Sequence, residues 1–379
     1  MTRDPLRIGV VGVGTLSLRG ILPHLSQPDV ADRVTIAALV DPVAERAHEA
    51  AQRFGAPAVF TTIDEMLASA DVDAVTIASP IGLHFEHARA ALRAGKHVHL
   101  NKTMTTTVAE ADELIALAAT AGRCIVASPG EVLRPHLRRT RELVEDESIG
   151  RLAWAVCGAA FGRYHEDEPE RAAAAGGAID PSWYFRKPGG GPMYDMTVYA
   201  LHGLTTVLGP ARRVTAMSGV RIPERVFLGR TVRTEADDNT VLLLDFGEGL
   251  TAVVYGTAAG GPNGRFASAL YYGTSGVIDG LLLNGNPFEY EGRTATSTAP
   301  ADYDDPQNWL LPHVVGPHRG IAEAHVFEDI MQLVDWVRDG TPSPVTAEHA
   351  RHVVDIVESG YRAAESGITQ DLRTTFAPA

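Results

Sequence analysis

Arg7-Ile8-Gly9-Val10-Val11-Gly12-Val13-Gly14-Thr15-Leu16-Ser17 is the stretch whose reading decides the fold. A buried parallel strand over Ile8 to Val11 turns sharply into a helix. The chain then returns through a second apolar strand, Val34 to Val40, that ends on Asp41. Strand, glycine turn, helix, strand and acid, in that order, form a dinucleotide-binding βαβ unit. Gly12 lets the backbone bend, and Gly14 lets a pyrophosphate approach the free N–H groups and positive dipole end of the helix, beside Thr15 and Leu16. Asp41 is placed to grip the ribose hydroxyls of NAD. Its charge would repel a 2'-phosphate, and Pro42 follows it rather than an arginine, so NAD is expected over NADP. Ser17 takes the place of the third glycine of the fingerprint.

Alternating strand-like and helix-like patterns continue through residue 128. Strands are expected at Ala58–Phe60, Val72–Ala78, His97–Leu100 and Cys124–Ala127, and the alternation predicts a doubly wound parallel sheet. Past Ser128-Pro129-Gly130 longer β-rich stretches take over, at Ala153–Ala160, Arg213–Val220, Thr240–Phe246, Thr251–Tyr255 and Ala267–Tyr272. The pair flanking Gly247-Glu248-Gly249 reads as a hairpin, so this part predicts an antiparallel sheet, interrupted by helices near 133–145, 193–208, 322–338 and 346–365. The expected organisation is α/β, with a Rossmann domain over 1–128 and an α+β domain with a large, mostly antiparallel open sheet over 129–379. The segments His165–Gly177 and Phe288–Asn308 read as surface loops.

At 379 residues the chain is long for one core, which agrees with two domains. Its formal net charge of -14, with no basic run beyond a local pair or triplet, disfavours nucleic acid and anionic membrane as partners. No apolar run approaches the roughly 20 residues that a membrane helix needs. The first strand begins by residue 7, which leaves no space for a secretory leader. Cys124 and Cys157 each sit in an apolar strand-like run without metal-ligand spacing, as core thiols of a reducing compartment do, so the cytoplasm is expected. None of His165, His202 and His325 has a partner at metal-binding spacing, and no metal is expected.

Three further runs carry a family pattern: Pro80-Ile81-Gly82-Leu83-His84, then Ala94-Gly95-Lys96-His97-Val98-His99-Leu100-Asn101-Lys102-Thr103, then Gly189-Gly190-Gly191-Pro192-Met193-Tyr194-Asp195-Met196-Thr197-Val198-Tyr199. Over nearly its whole length the chain resembles the glucose-fructose oxidoreductase / inositol dehydrogenase / MocA family. The resemblance implies a nicotinamide-binding Rossmann domain, a C-terminal domain on a large open sheet, and hydride transfer to or from a carbon of a sugar, sugar derivative or cyclitol. It also implies a homo-oligomer, dimer or tetramer. Two other outcomes stay open within it, an enzyme that retains NAD for oxidation, elimination and reduction, and a dinucleotide-binding regulator.

The resemblance places Ser79, Pro80, His84, Asn101 and Lys102 along the cofactor. Lys102 falls on the motif lysine that bridges cofactor and substrate, although Asn101 replaces the usual glutamate and Thr103 the usual proline. A cis bond before threonine costs roughly 3 kcal/mol, so a trans backbone is expected at Lys102-Thr103. Asp195 opens the family's Asp-x-x-x-His motif, with Tyr199 in the histidine position and His202 in that of the downstream aspartate. On a helix, 195 and 199 lie one turn apart and share a face. Tyr199 is then the acid/base, with Lys102 lowering its pKa and Asp195 orienting substrate. His165, His202 and His325 are candidate substrate contacts, and Trp183, Tyr184 and Arg186 have the aromatic faces and guanidinium that suit a polyol.

Overall fold

A computed structural model describes residues 4–162, 179–263, 266–293 and 311–378. These divide into two compact units, one built on residues 4–130 and 311–350 and the other on 131–162, 180–293 and 351–378.

Six parallel strands form the sheet of the first unit: β1 (Leu6–Val11), β2 (Val34–Val40), β3 (Val59–Phe60), β4 (Ala74–Ile77), β5 (His97–Leu100) and β6 (Ile125–Ala127). Their order is β3-β2-β1-β4-β5-β6. Burial on both faces explains the lack of polar alternation in strands such as β4, Ala-Val-Thr-Ile, where all four residues are buried. Helices Ala44–Phe54, Ile63–Ser69, His84–Arg93 and Val108–Ala121 connect the strands. Thr62 with Glu65, and Thr107 with Glu110, form capping boxes that set two of the helix starts. The strand order reverses between β1 and β4, so a crevice opens beyond their carboxyl ends, where a dinucleotide lies in sheets of this order.

This unit is not closed at residue 128. The chain returns to it through helix Ala324–Asp339, whose Asp329 Oδ2 accepts from Ser128 Oγ at 2.5 Å and from the Gly130 amide at 3.1 Å. Arg33 pairs with Asp335 at 2.7 Å and with Asp339 at 2.6 Å, and Arg19 pairs with Glu323 at 2.9 Å. Gly20 permits the approach, since a Cβ there would stand 2.5 Å from that of Glu323. Residues 311–350 thus group with the first unit by their contacts, although they follow the second in sequence. The return rests on single charged and glycine positions far apart in sequence, which hydrophobic periodicity does not report.

The second unit holds a nine-stranded sheet built from β7 (Leu152–Ala160), β8 (Arg213–Gly219), a separate two-stranded ribbon of β9 (Glu224–Phe227) and β10 (Arg230–Arg233), then β11 (Asn239–Gly247), β12 (Leu250–Thr257), β13 (Leu270–Gly273), β14 (Val277–Asp279), β15 (Leu282–Leu283), β16 (Asn286–Pro287) and β17 (Gln370–Asp371). The large sheet runs β16-β15-β14-β13-β7-β12-β11-β8-β17. Only β7 and β12 pair in parallel among its described strands. Glu248 (φ 52°) and Gly249 (φ 81°) close the β11–β12 hairpin with the two left-handed residues that a tight, strand-matched turn requires.

Residues Thr240, Leu242, Leu244 and Phe246 of β11 are buried on one face, where helices Val198–Leu208 and Ala347–Ser366 pack. On the other face Val241, Leu243, Met217 and Trp154 remain exposed. The helix expected over 193–208 begins instead as a π-helical turn, Met193–Thr197. The loop expected from Phe288 is tucked in over its described part: Phe288, Tyr290 and Arg293 are buried, and the Tyr290 ring meets His136 edge-on. The remaining positions of that loop, and 165–177, lie outside the described residues. Among the described residues no helix is long and apolar enough to cross a membrane.

Candidate active site

In the first unit the glycine turn is a cradle shaped by what it excludes. Gly12 has φ 92° and donates its amide to Val40 O at 2.8 Å, and a Cβ there would stand 2.6 Å from Ala78 O. A Cβ at Gly14 would meet no heavy atom within 4 Å, so its surface is open for a phosphate. Thr15 and Leu16 are half-buried beside it. Ser17, in the third-glycine position, is fully buried and donates its hydroxyl to Gly12 O at 2.5 Å, tying the turn to its helix. Sharp turn, open approach and helix entry together fit a dinucleotide pyrophosphate.

Asp41, at the end of β2, is buried beside this turn. Its Oδ2 accepts from the Val13 amide at 2.9 Å and its Oδ1 from the Val43 amide at 2.9 Å. Oδ1 also pairs with Arg46 Nη2 at 2.5 Å. Reading only the residue after Asp41 misses this arginine. It lies in the first turn of helix Ala44–Phe54, and the N–H-rich bend at 41–43 brings it back onto the acid.

Beyond β4, Ser79 is buried and Pro80 exposed. Buried His84 places Nε2 2.8 Å from Ser79 O and Nδ1 2.8 Å from Thr103 O. Burial pushes its pKa down to about 4, outweighing the two carbonyls that favour the protonated ring. Lys102 is half-buried, and the side-chain carbonyl of buried Asn101 accepts its amide at 2.8 Å. The peptide between Lys102 and Thr103 is cis, which corrects the trans expectation. The local cost of cis before threonine, the basis of that expectation, omits contacts such as the Thr103 O–His84 hydrogen bond. Below this loop runs a buried chain that no motif flagged. Thr76 Oγ1 is 2.6 Å from His99 Nδ1, and His99 Nε2 is 3.0 Å from Ser128 Oγ, which donates to Asp329.

In the second unit Asp195 lies in the π-helical turn and Tyr199 in the first turn of helix Val198–Leu208, so the two are not an ordinary i, i+4 pair. Both are buried, and the Tyr199 ring meets Phe266 edge-on at 5.2 Å. His202 is buried too, and burial, with His352 adding to it, pushes its pKa down to about 3. Trp183 and Tyr184 are half-buried with ring centroids 3.9 Å apart, and Arg186 is exposed. Gly190 and Gly191 fix this segment: a Cβ on Gly190 would stand 2.2 Å from Arg186 O, and Gly191 donates to Tyr184 O at 2.5 Å. Beneath it, the fully buried Arg225–Asp238 pair, 2.8 Å apart, stacks its guanidinium 3.9 Å from the Phe185 ring centroid.

His165 lies outside the described residues. His325 is half-buried and belongs to the first unit, on helix Ala324–Asp339. Among the described residues no group of three or more His, Cys, Asp or Glu is placed to hold a metal.

Residues 6–128 match the model of an oxidoreductase family with an NAD-binding Rossmann fold, GFO_IDH_MocA, and residues 137–279 match the GFO/IDH/MocA C-terminal domain. The chain is 24% identical to scyllo-inositol 2-dehydrogenase (NADP(+)) of Bacillus subtilis (strain 168), over 96% of this chain and 94% of that one. It is 32% identical to dTDP-3,4-didehydro-2,6-dideoxy-alpha-D-glucose 3-reductase of Streptomyces violaceoruber, over 66% of each. An oxidoreductase of Thermotoga maritima shares the fold with a TM-score of 0.74 at 20% identity, covering 97% of this chain and 99% of that one. The chain belongs to the GFO/IDH/MocA family of nicotinamide-dependent oxidoreductases.

Proposed function

We propose that this oxidoreductase interconverts a secondary alcohol and a ketone on a sugar, sugar derivative or cyclitol, with NAD as the preferred cofactor. What supports the reading is the presence of Lys102, Asp195 and Tyr199 at the motif positions, Tyr199 in place of the histidine, in a chain whose two parts match the family's two domain models. The relatives named for an inositol and for a dTDP-sugar set the substrate class. Gly12, Gly14, Thr15 and Leu16 would hold the pyrophosphate, Asp41 the ribose, and Ser79, Pro80, His84, Asn101 and Lys102 the remainder. When bound, the nicotinamide supplies the carbon that accepts or returns hydride.

Tyr199 takes the hydroxyl proton during oxidation and returns it during reduction. Lys102 stabilises negative charge as it develops on the reacting oxygen and lowers the pKa of the phenol. Asp195 accepts hydrogen bonds from substrate hydroxyls and so fixes which carbon reacts. Trp183, Tyr184, Arg186, His165, His202 and His325 complete the substrate contacts in this reading. The exposed apolar face around Met217, Val241, Leu243 and Trp154 supports a homo-oligomer, and two free thiols support a cytoplasmic location. Screening sugars, nucleotide sugars and cyclitols for reduction of NAD tests the activity. A chain that binds NAD but neither reduces it with any of these alcohols nor oxidises NADH with the corresponding ketones loses this assignment.

A further inference from the structure

An ionised carboxylate offers about four lone-pair sites. Three of those on Asp41 are taken, by the amides of Val13 and Val43 and by Arg46 Nη2. One remains, on Oδ2, so Asp41 as it stands can hold one ribose hydroxyl. Gripping both hydroxyls requires Arg46 to swing off Oδ1. The same pairing cancels the charge that would repel a 2'-phosphate, because a buried carboxylate with a guanidinium 2.5 Å away is locally neutral. Arg46 keeps a quarter of its side chain exposed, and its planar fork is matched to phosphate oxygens. The acidic neighbours on its helix, Glu45 and Glu49, are both exposed, where solvent and salt screen them.

We propose that Arg46 is the residue that admits a 2'-phosphate here, so that the chain binds NADP as well as NAD and its preference between them is narrow. This inference rests on the cofactor reading given above. Arg46 acts twice, by neutralising Asp41 and by offering its remaining donors to the phosphate.

The experiment is a titration of the full chain with NAD and with NADP separately, without substrate, read by protein fluorescence or calorimetry. The wild-type dissociation constants should lie within about tenfold of each other, a difference of about 1.4 kcal/mol. Arg46→Ala should weaken NADP by at least about tenfold and leave NAD unchanged or tighter, since Asp41 is then free for both hydroxyls. Arg46→Lys, which keeps the charge but loses the fork, should fall between, and Asp41→Ala should turn the preference to NADP. A ratio of the two constants unchanged by Arg46→Ala, or equal weakening of both, overturns the inference and leaves Arg46 as a fold contact. If Arg46→Ala does not fold, Arg46→Lys decides on the same ratio. A wild-type chain that binds neither dinucleotide overturns the cofactor reading itself, and this inference with it.

Discussion

His84 Nδ1 stands 2.8 Å from the carbonyl oxygen of Thr103, so a ring at the start of helix His84–Arg93 holds the residue next to Lys102. The other ring nitrogen faces Ser79 O at 2.8 Å, and the ring is fully buried. The neutral ring has one N–H to donate, so His84→Ala leaves one of these buried carbonyls without its donor and opens a cavity. We expect a loss of roughly 2–4 kcal/mol in urea unfolding, from the unmet carbonyl and the lost packing. A loss under about 0.5 kcal/mol would show that neither carbonyl depends on the ring.

Acid should weaken the fold well before the carboxylates titrate. Burial holds His84 at about 4 and both His99 and His202 at about 3, against 6.5 for the exposed imidazole. The folded chain therefore binds fewer protons than the unfolded one below pH 6.5, and stability is complete above that value and falls as pH drops toward 4. His313 has the opposite sign. Burial opposes its charge but is outweighed by Asp335 and Glu328, which raise it to about 9, so its contribution is full below 6.5 and lost as pH rises through 9. Urea midpoints should peak between these limits, and an unchanged midpoint from pH 7 to 5 would contradict the buried neutral histidines.

The first sheet was legible because its central strands β1 and β4 are buried on both faces and read as largely apolar runs, and because glycine turn and acid stand at fixed offsets from β1 and β2. This pattern is what singles out Asp41, directly after β2, in the sequence. It does not single out Arg46, since its pairing depends on the bend at 41–43 and a helix entry that no motif encodes. The return of 311–350 to the first unit was hidden for the same reason: Asp329 reads as one acid on an amphipathic helix until Ser128 is seen beside it. At Met193–Thr197 the helical periodicity was correct in kind, but the wider π turn changes where Asp195 points relative to Tyr199. Ser17 reads as a lapse in the fingerprint, whereas its hydroxyl ties the turn as a third glycine could not.

Lys102→Ala should lower turnover by about 100-fold or more while changing the dissociation constant of NAD by less than about threefold, since an ammonium at the reacting oxygen acts mainly where charge develops. Steady-state kinetics on the substrate found by screening, with NAD binding measured alongside, separates the two quantities. Near-normal turnover would remove Lys102 from the chemistry.

Tyr199, not His202, should set the pH dependence of alcohol oxidation. His202 is buried and held at about 3, so it stays neutral across the working range and cannot produce an inflection near neutrality. A free phenol titrates near 10, and positive charge beside it favours the phenolate. Oxidation should therefore rise toward alkaline pH with an apparent pKa below about 10. Tyr199→Phe should abolish that rise together with most turnover, whereas His202→Asn should keep the shape of the profile even if it lowers its height. Profiles of kcat and kcat/KM for the three chains decide the matter. A near-neutral inflection present in Tyr199→Phe and absent in His202→Asn would transfer the proton chemistry to His202 and leave Tyr199 a substrate contact.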